Sequence, residues 1–419
     1  MTISKEMGSI SMGNNRRSSQ IPSATEGIAR EPIRVLQILA GAKEYNGVSD
    51  VLLSYYQRMN NEKVHFDFLF CRENTMTNRM EESFLRDSHF IELNAKITGK
   101  WRDSKKLIKK LIKAISEQNY DIVHINTGSI HITTCSIIAA RRAGVKLIIA
   151  HSHTPDPRSI RKYNAIKSIV VPVANEMMRC IIRKESIALF ACSNEAGEYL
   201  FGRKGLKSEK YKQINNAIDV NNYLYDIKVR EKIRSDNGIH NSTTIIGCVG
   251  RFSAQKNHRF LIDVFAAYHE IDSDSCLWLV GDGETRAEIE LKVRKLGLQE
   301  NVRFWGQRRD VNQLLQAMDA FVLTSSVEGL GIVSIEAQAS GLPVFLPEEI
   351  SHGSAISNLV QFTSLKESPE VWANKIRTVT SKKLIRKDMR EVIKAAGYDI
   401  NEEAGVLEDI YVKLLSIDH

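Results

Sequence analysis

The sequence predicts an α/β protein built from two doubly wound, Rossmann-like domains that face each other across a central cleft. Three observations carry this. Short apolar runs without polar alternation recur along the chain, separated by helical patterns, as expected for parallel strands covered on both faces. The 419 residues exceed one ordinary hydrophobic core. A polar, turn-rich stretch, Asn215-Asn216-Ala217-Ile218-Asp219-Val220-Asn221-Asn222, divides the runs into two series and suits a hinge. Two sheets hinged in this way turn their strand carboxyl ends toward one cleft, which is where open α/β sheets bind ligands.

Residues 1–31 lack the apolar centre of a signal peptide and are expected to be a disordered tail. The first domain is placed at 32–215. Its strands are predicted at Ile33–Leu39, His65–Cys71, Phe90–Leu93, Asp121–Asn126, Val145–His151 and Ile187–Cys192. A helix over Val48–Met59 sets Val48, Val51, Leu52 and Tyr55 on one side. The loop from Gly41 to Gly47 is not G-x-G-x-x-G, so the dinucleotide fingerprint fails. Gly47, opening the helix, is the position expected to bring backbone close to a phosphate.

Lys100–Gln118 is the sharpest amphipathic signal, with Leu107, Ile108, Leu111, Ile112 and Ile115 in one stripe and lysines around the rest. Two readings stay open: a sheet-covering helix with a solvated lysine face, and an interfacial helix on anionic lipid. Ile166–Ile182 is expected to be core, with acceptor lining or membrane contact as alternatives. The second domain is placed at 216–400, with strands at Thr243–Val249, Leu277–Val280, Val302–Trp305, Ala320–Thr324, Pro343–Leu346 and Leu359–Phe362. Residues 401–419 carry a final amphipathic helix, with a return to the first domain as one option.

Composition narrows the function class. The chain is 43% hydrophobic and 26% charged, as in globular proteins, and its net charge of +8 favours an anionic partner. Six cysteines form no C-x-x-C pair, which argues against zinc knuckles and thioredoxin-like chemistry. They are expected to be buried thiols of a reducing compartment. With no uncharged apolar run of about 18 residues, no spanning helix is expected. The expected location is cytoplasmic, peripheral on the inner membrane face if the lysine-rich helix binds lipid.

Three strand-end segments could carry chemistry. After the strand ending at Val249, Gly250-Arg251-Phe252-Ser253-Ala254-Gln255-Lys256-Asn257-His258 sets Arg251 and Lys256 at a helix start, where fixed cations stabilise a departing diphosphate without a metal. Ser325–Gly341, reading S-S-V-E-G-L-G-I-V-S-I-E-A-Q-A-S-G, passes from strand to helix. It puts Glu328 on a glycine-bearing loop and Glu336 in the first turns, where free N–H groups meet an anion. His151-Ser152-His153 ends the fifth strand. A metal at H-x-H is disfavoured because no matching His and Asp cluster appears at later strand ends, and a histidine directed at a sugar hydroxyl fits better. Val280-Gly281-Asp282-Gly283-Glu284 is a further strand-end loop. Asp272-Ser273-Asp274 precedes a strand and is discounted as a metal site.

These segments together resemble the retaining glycosyltransferases of family four, which have the GT-B fold. The likeness runs from Ile33 to the C-terminus and rests on G-R-F-S-A-Q-K-N-H, L-V-G-D-G-E, E-G-L-G-I-V-S-I-E-A-Q-A-S-G-L-P, N-A-I-D and A-H-S-H-T. Within the family it is similar to enzymes that build bacterial capsular or exopolysaccharide repeat units. The resemblance implies a nucleotide-sugar donor, most simply a UDP-sugar, a lipid-linked saccharide acceptor, and no metal or other cofactor. Arg251 and Lys256 would meet the diphosphate, and Glu336 the ribose hydroxyls. Gly329, Leu330, Gly331 and Ile332, with Glu328, would meet the donor sugar and phosphate. Gly47 would approach from the first domain, and His153, or alternatively His151, would contact the sugar near its reacting carbon. Three departures bear on donor choice and loop rigidity: Gly331 where proline is common, Asn215 where proline precedes N-x-I-D, and Pro347-Glu348-Glu349 where serine–aspartate is more usual. Three rival classes are a nucleotide-sugar epimerase of similar fold, a metal-dependent hydrolase using the His151–His153 motif, and a non-catalytic nucleotide-sugar-binding or membrane-docked partner subunit.

Overall fold

The apolar runs form two separate parallel sheets in the computed structural model, which describes residues 31–40, 47–72, 88–95, 101–154, 165–328, 330–382 and 385–417. The tail before Glu31, the loop at 41–46 and Gly329 lie outside the described residues. The first half runs β1 (Ile33–Leu39), α1 (Gly47–Arg58), β2 (Val64–Phe70), β3 (Phe90–Glu92), α2 (Trp101–Ser116), β4 (Ile122–Asn126) and α3 (Ile130–Arg142). It continues through β5 (Leu147–Ser152), α4 (Ala165–Glu185), β6 (Ala188–Ala191), α5 (Asn194–Leu206) and β7 (Tyr211–Gln213). The second half runs α6 (Ile227–Asp236), β8 (Thr244–Val249), α7 (His258–Ile271), β9 (Ser275–Val280), α8 (Arg286–Lys295), β10 (Val302–Gly306) and α9 (Val311–Ala317). Then come β11 (Ala320–Val322), α10 (Ile332–Ala339), β12 (Val344–Pro347), β13 (Val360–Thr363), α11 (Pro369–Thr380), α12 (Arg390–Ala395) and α13 (Ile400–Ile417).

Strand order is β3-β2-β1-β4-β5-β6-β7 in one sheet and β10-β9-β8-β11-β12-β13 in the other. Both orders reverse beside the first strand of the half, between β1 and β4 and between β8 and β11. Such a reversal leaves a crevice at the strand carboxyl ends. Each predicted strand is present within a few residues. The edge strand β7, three residues reading Tyr-Lys-Gln, carries too little apolar signal to be read from sequence.

Side chains alternate across the first sheet. Leu36 and Ile38 pack with Leu107, Leu111 and Ile115 of α2 on one face; Val35 and Leu39 pack with Val51 and Leu52 of α1 and with Ile400 and Tyr411 of α13 on the other. The last helix of the chain therefore covers the first sheet. The second core centres on Trp278, Phe265 and Trp372. The two chain crossings between the halves lie side by side: the Ile218 N–H donates to Tyr398 O, and the Ile400 N–H to Ile218 O, both at 2.9 Å. At Asn215, the absent proline ring is replaced by a clip, since its side-chain amide donates to the Gly397 carbonyl at 2.9 Å.

The stripe of α2 faces the sheet, with Leu107, Leu111 and Ile115 buried and Ile108 and Ile112 half-buried, and its lysines are exposed, as the sheet-covering reading expects. Two other expectations are corrected. The core reading of Ile166–Ile182 fails for Val170, Val173 and Met177, which are exposed on α4. Five cysteines are buried, but Cys180 is exposed on the same helix. Among the described residues no helix is long and apolar enough to cross a membrane.

Candidate active site

The loops leaving β8 and β11 are neighbours because those strands pair where the second sheet reverses. They are zipped together by backbone and amide bonds. Ser326 N–H donates to Gln255 O at 2.9 Å, and the Gln255 amide donates to Val327 O at 2.6 Å. This brings Lys256 to Glu328, with Nζ 2.7 Å from Oε2, both side chains mostly buried at 17% and 14% exposure. Arg251 does not join them: it is exposed, and its guanidinium pairs with Glu284 at 3.0 Å.

Two helices begin here. Asn257 at the start of α7 and Gly331 at the start of α10 are left-handed, with φ of 52° and 65°, and neither caps its helix with a side chain. Neither cap side chain therefore competes with a ligand for the first N–H groups of its helix. At Gly331 a Cβ would lie 3.1 Å from the Glu328 Cγ, so glycine is needed for both the turn and the close approach. Leu330 is buried among Ile218, Val220 and Ile335, so its backbone rather than its side chain is available. Ile332 packs against the first-half core and this hinge cluster together, tying the start of α10 to both halves.

Glu336 lies one turn further along α10. Burial pushes its carboxyl up to about 7, a hydrogen bond from Tyr223 works in the opposite direction, and the charge of Asp50 raises it further. Asp50 belongs to the first turn of α1, the helix that Gly47 opens. Gly47 and Glu336 therefore come from opposite halves to the same crevice. Sequence reading missed Tyr223 and Asp50. Tyr223 follows the N-A-I-D segment and could have been sought there, whereas nothing in the sequence signals Asp50.

His153 is buried at the end of β5, and both of its ring nitrogens lie within hydrogen-bond distance of asparagine side chains. Nε2 is 2.9 Å from Asn126 Oδ1 and Nδ1 is 3.2 Å from Asn216 Oδ1. The Asn126 amide nitrogen donates to Gln37 at 2.7 Å, which fixes its orientation. The ring proton then sits on Nε2, leaving Nδ1 as an acceptor that Asn216 must meet with its own amide N–H. Burial pushes the ring down to about 4, so it is neutral. His151 is deeper, with Nδ1 3.2 Å from His124 Nε2, and His124 is 2.7 Å from the Tyr411 hydroxyl. The His151 and His153 rings lie 4.0 Å apart and tilted by 32°, and His151 Nε2 is buried without a hydrogen-bond partner among the described residues.

A cavity of about 550 Å³ opens beside Glu328. Arg179 of α4 and Glu195 and Tyr199 of α5 line it from the first half, and Val327, Glu328 and Ser351 from the second. Fixed positive charge, uncapped helix starts and a half-buried carboxyl at one switch point can hold a polyanionic, hydroxyl-bearing ligand. The adjoining cavity leaves room for a second molecule.

The chain matches the model of the glycosyl transferases group 1 at residues 229–398 and that of glycosyltransferase family 4 at residues 45–222. It is 30% identical over 393 residues to the protein described as the glycosyltransferase EpsF of Bacillus subtilis (strain 168), covering 92% of this chain and 98% of that one. The chain belongs to the family 4 glycosyltransferases. An Escherichia coli relative, named UDP-Gal:alpha-D-GlcNAc-diphosphoundecaprenol alpha-1,3-galactosyltransferase, is 24% identical over 385 residues, covering 88% of this chain and 94% of its own. The crystal structure of Anabaena Alr3699/HepE in complex with UDP and glucose superposes with a TM-score of 0.69 at 19% identity, covering 92% of this chain and 99% of the other. The transferase thus has the GT-B fold, with two Rossmann-like halves.

Proposed function

We propose that the transferase moves a hexose or N-acetylhexosamine from a UDP-sugar to a lipid-linked saccharide during assembly of an exopolysaccharide or capsule, with retention at the anomeric carbon. The observation that carries this is the grouping of Lys256, Glu328 and the uncapped start of α10 at the switch point of the second sheet, with Glu336 one turn away. The E. coli relative's name supplies a UDP-sugar donor and a diphosphoundecaprenol acceptor, and the HepE complex a nucleotide in the same fold.

In this reading Lys256 and Arg251 hold the diphosphate and offset the charge that develops as the sugar leaves, which is the largest electrostatic demand of the reaction. Backbone N–H groups from Gly329 to Ile332 add to this hold, and Gly47 approaches from the other half. Glu336, in its ionised form, accepts from the ribose hydroxyls, while Tyr223 keeps it in place. The acceptor hydroxyl bonds to the anomeric carbon as the bond to the diphosphate oxygen breaks, and its proton passes to that oxygen. No protein base is needed. His153 positions the donor sugar through its Asn126 and Asn216 partners, or after exchanging one of them for a sugar hydroxyl. Closure of the halves would exclude water and limit donor hydrolysis.

Peripheral membrane contact, on the cytoplasmic face, fits two surfaces of the first half. The lysine face of α2 offers charge, and exposed Val170, Val173 and Met177 of α4 offer apolar contact. Incubating the protein with a panel of UDP-sugars and lipid-linked saccharides, and measuring UDP release and the anomeric configuration of the product, tests the reading. An inverted product, or a new free UDP-sugar without acceptor, would replace it with another mechanism or with epimerisation. Sedimentation with anionic vesicles at low salt tests the membrane contact.

A further inference from the structure

His65, Asp67 and His89 gather on the first sheet, away from the cleft. His65 and Asp67 are two apart on β2, so their side chains share a face. His89 stands just before β3, the neighbouring strand. The His65 Nε2 and His89 Nδ1 atoms each lie 3.2 Å from the same oxygen, Asp67 Oδ1. The His89 backbone N–H also donates to that oxygen, at 2.7 Å. Three nitrogens therefore address one carboxylate oxygen, which has two lone pairs. The other oxygen accepts from Arg34 Nη2 at 3.1 Å. Asp67 is fully buried, whereas the His89 side chain is 60% exposed.

One ligand atom from each of the three residues lies within 4.8 Å of the others. A tetrahedral metal with bonds of about 2.0–2.2 Å to imidazole and carboxylate sets its ligand atoms roughly 3.3–3.5 Å apart, close to the two nitrogen–oxygen distances here. We propose that His65, Asp67 and His89 bind a divalent transition metal of the zinc class, which clips β2 to the segment entering β3. The ligands are His65 Nε2, Asp67 Oδ1 and His89 Nδ1, with water entering from the exposed side of His89. Both facing nitrogens then present lone pairs. The ring protons move to His65 Nδ1, 3.5 Å from the Tyr56 hydroxyl, and to His89 Nε2, which faces solvent. Arg34 holds the second carboxylate oxygen as an outer partner. Two imidazoles and one carboxylate favour zinc over magnesium or calcium, which prefer all-oxygen sites.

The position assigns the metal a structural role. β2 runs parallel to β1, with Val64 opposite Ile33, so His65 lies at the amino-terminal edge of the sheet. The loops of the candidate active site leave from carboxyl ends. The clip stabilises the edge of the first half and takes no part in transfer.

Calorimetric titration of the chelator-treated, desalted full chain with zinc sulfate tests this, alongside thermal melting in zinc and in magnesium. The expected result is one saturable zinc site, a melting point raised by a few degrees in zinc and unmoved by magnesium, and UDP affinity that zinc leaves unchanged. H89A, which removes an exposed ring, should weaken zinc binding at least tenfold and abolish the shift, while H240A at an unrelated exposed histidine keeps both. Absence of zinc binding to the wild type, or H89A binding zinc as tightly as the wild type, would overturn the proposal.

Discussion

Lys256 and Glu328 meet at 2.7 Å between two loops that the reversal of the second sheet holds side by side. The ammonium that a diphosphate would attract is already paired, so an incoming anion competes with the Glu328 carboxylate for it. E328Q removes that competition while keeping the shape of the side chain. It is expected to bind UDP alone several-fold more tightly than the wild type, yet to transfer sugar more slowly, because the group assigned to the donor sugar has lost its charge. Calorimetry and a UDP-release assay on the same preparation check both halves of this prediction.

Glu336 gives the site a pH dependence. Its carboxyl is pushed up to about 7 by burial, with Asp50 adding to the effect. An ionised carboxylate accepts a hydroxyl hydrogen bond more strongly than a neutral one. UDP affinity should therefore rise with pH through about 7, and the rise should be smaller in E336Q. Comparing the two proteins from pH 6 to 8 separates this term from the titration of UDP itself. Identical slopes would remove Glu336 from the ribose contact.

The histidine chain behind the cleft contributes to loss of stability in acid. Burial pushes His124 down to about 3 and His153 to about 4, and holds His151 well below its usual range. Groups with depressed pKa contribute stability that is present above the unfolded value of about 6.5 and is lost as pH falls toward the folded values. Glu336 acts in the opposite sense, favouring the fold below its unfolded value and losing that contribution as pH rises through about 7. Between roughly pH 4.5 and 6.5, these three histidines, with His258 also pushed down to about 4, outweigh the raised carboxyls of Glu336 and Glu403, so stability should increase with pH. In Y411F, His124 Nδ1 loses its partner at 2.7 Å, and the fold should be weakened by about 1–3 kcal/mol. Urea unfolding at several pH values measures both effects.

Gly331 is held at φ of 65°, and a Cβ there would press on Glu328. G331A should cost about 1–2 kcal/mol in backbone strain and displace the start of α10. Transfer is expected to fall more than thermal stability does. Equal transfer rates would show that this turn does not position the donor.

Much of this architecture was legible in the sequence because buried parallel strands are continuous apolar runs. The glycine-bearing loops after Val249 and Leu323 also announced themselves by their charged neighbours. What was not legible depends on contacts across the chain. The Lys256–Glu328 pair joins loops 72 positions apart, and Asp50 reaches Glu336 only because α1 and α10 come from opposite halves. The His65–Asp67–His89 group was missed for the same reason: an H-x-D on one strand gains its third member only when β3 pairs with β2. The exposed valines of α4 were misread because an apolar run looks alike whether its neighbours cover it or not.

Titration of UDP into the wild type, R251A and K256A by calorimetry measures whether fixed cations at the β8 loop hold the diphosphate. Affinity losses of about 1–3 kcal/mol are expected, with K256A the larger because Lys256 is mostly buried and Arg251 is exposed. Unchanged UDP affinity in both variants would contradict this.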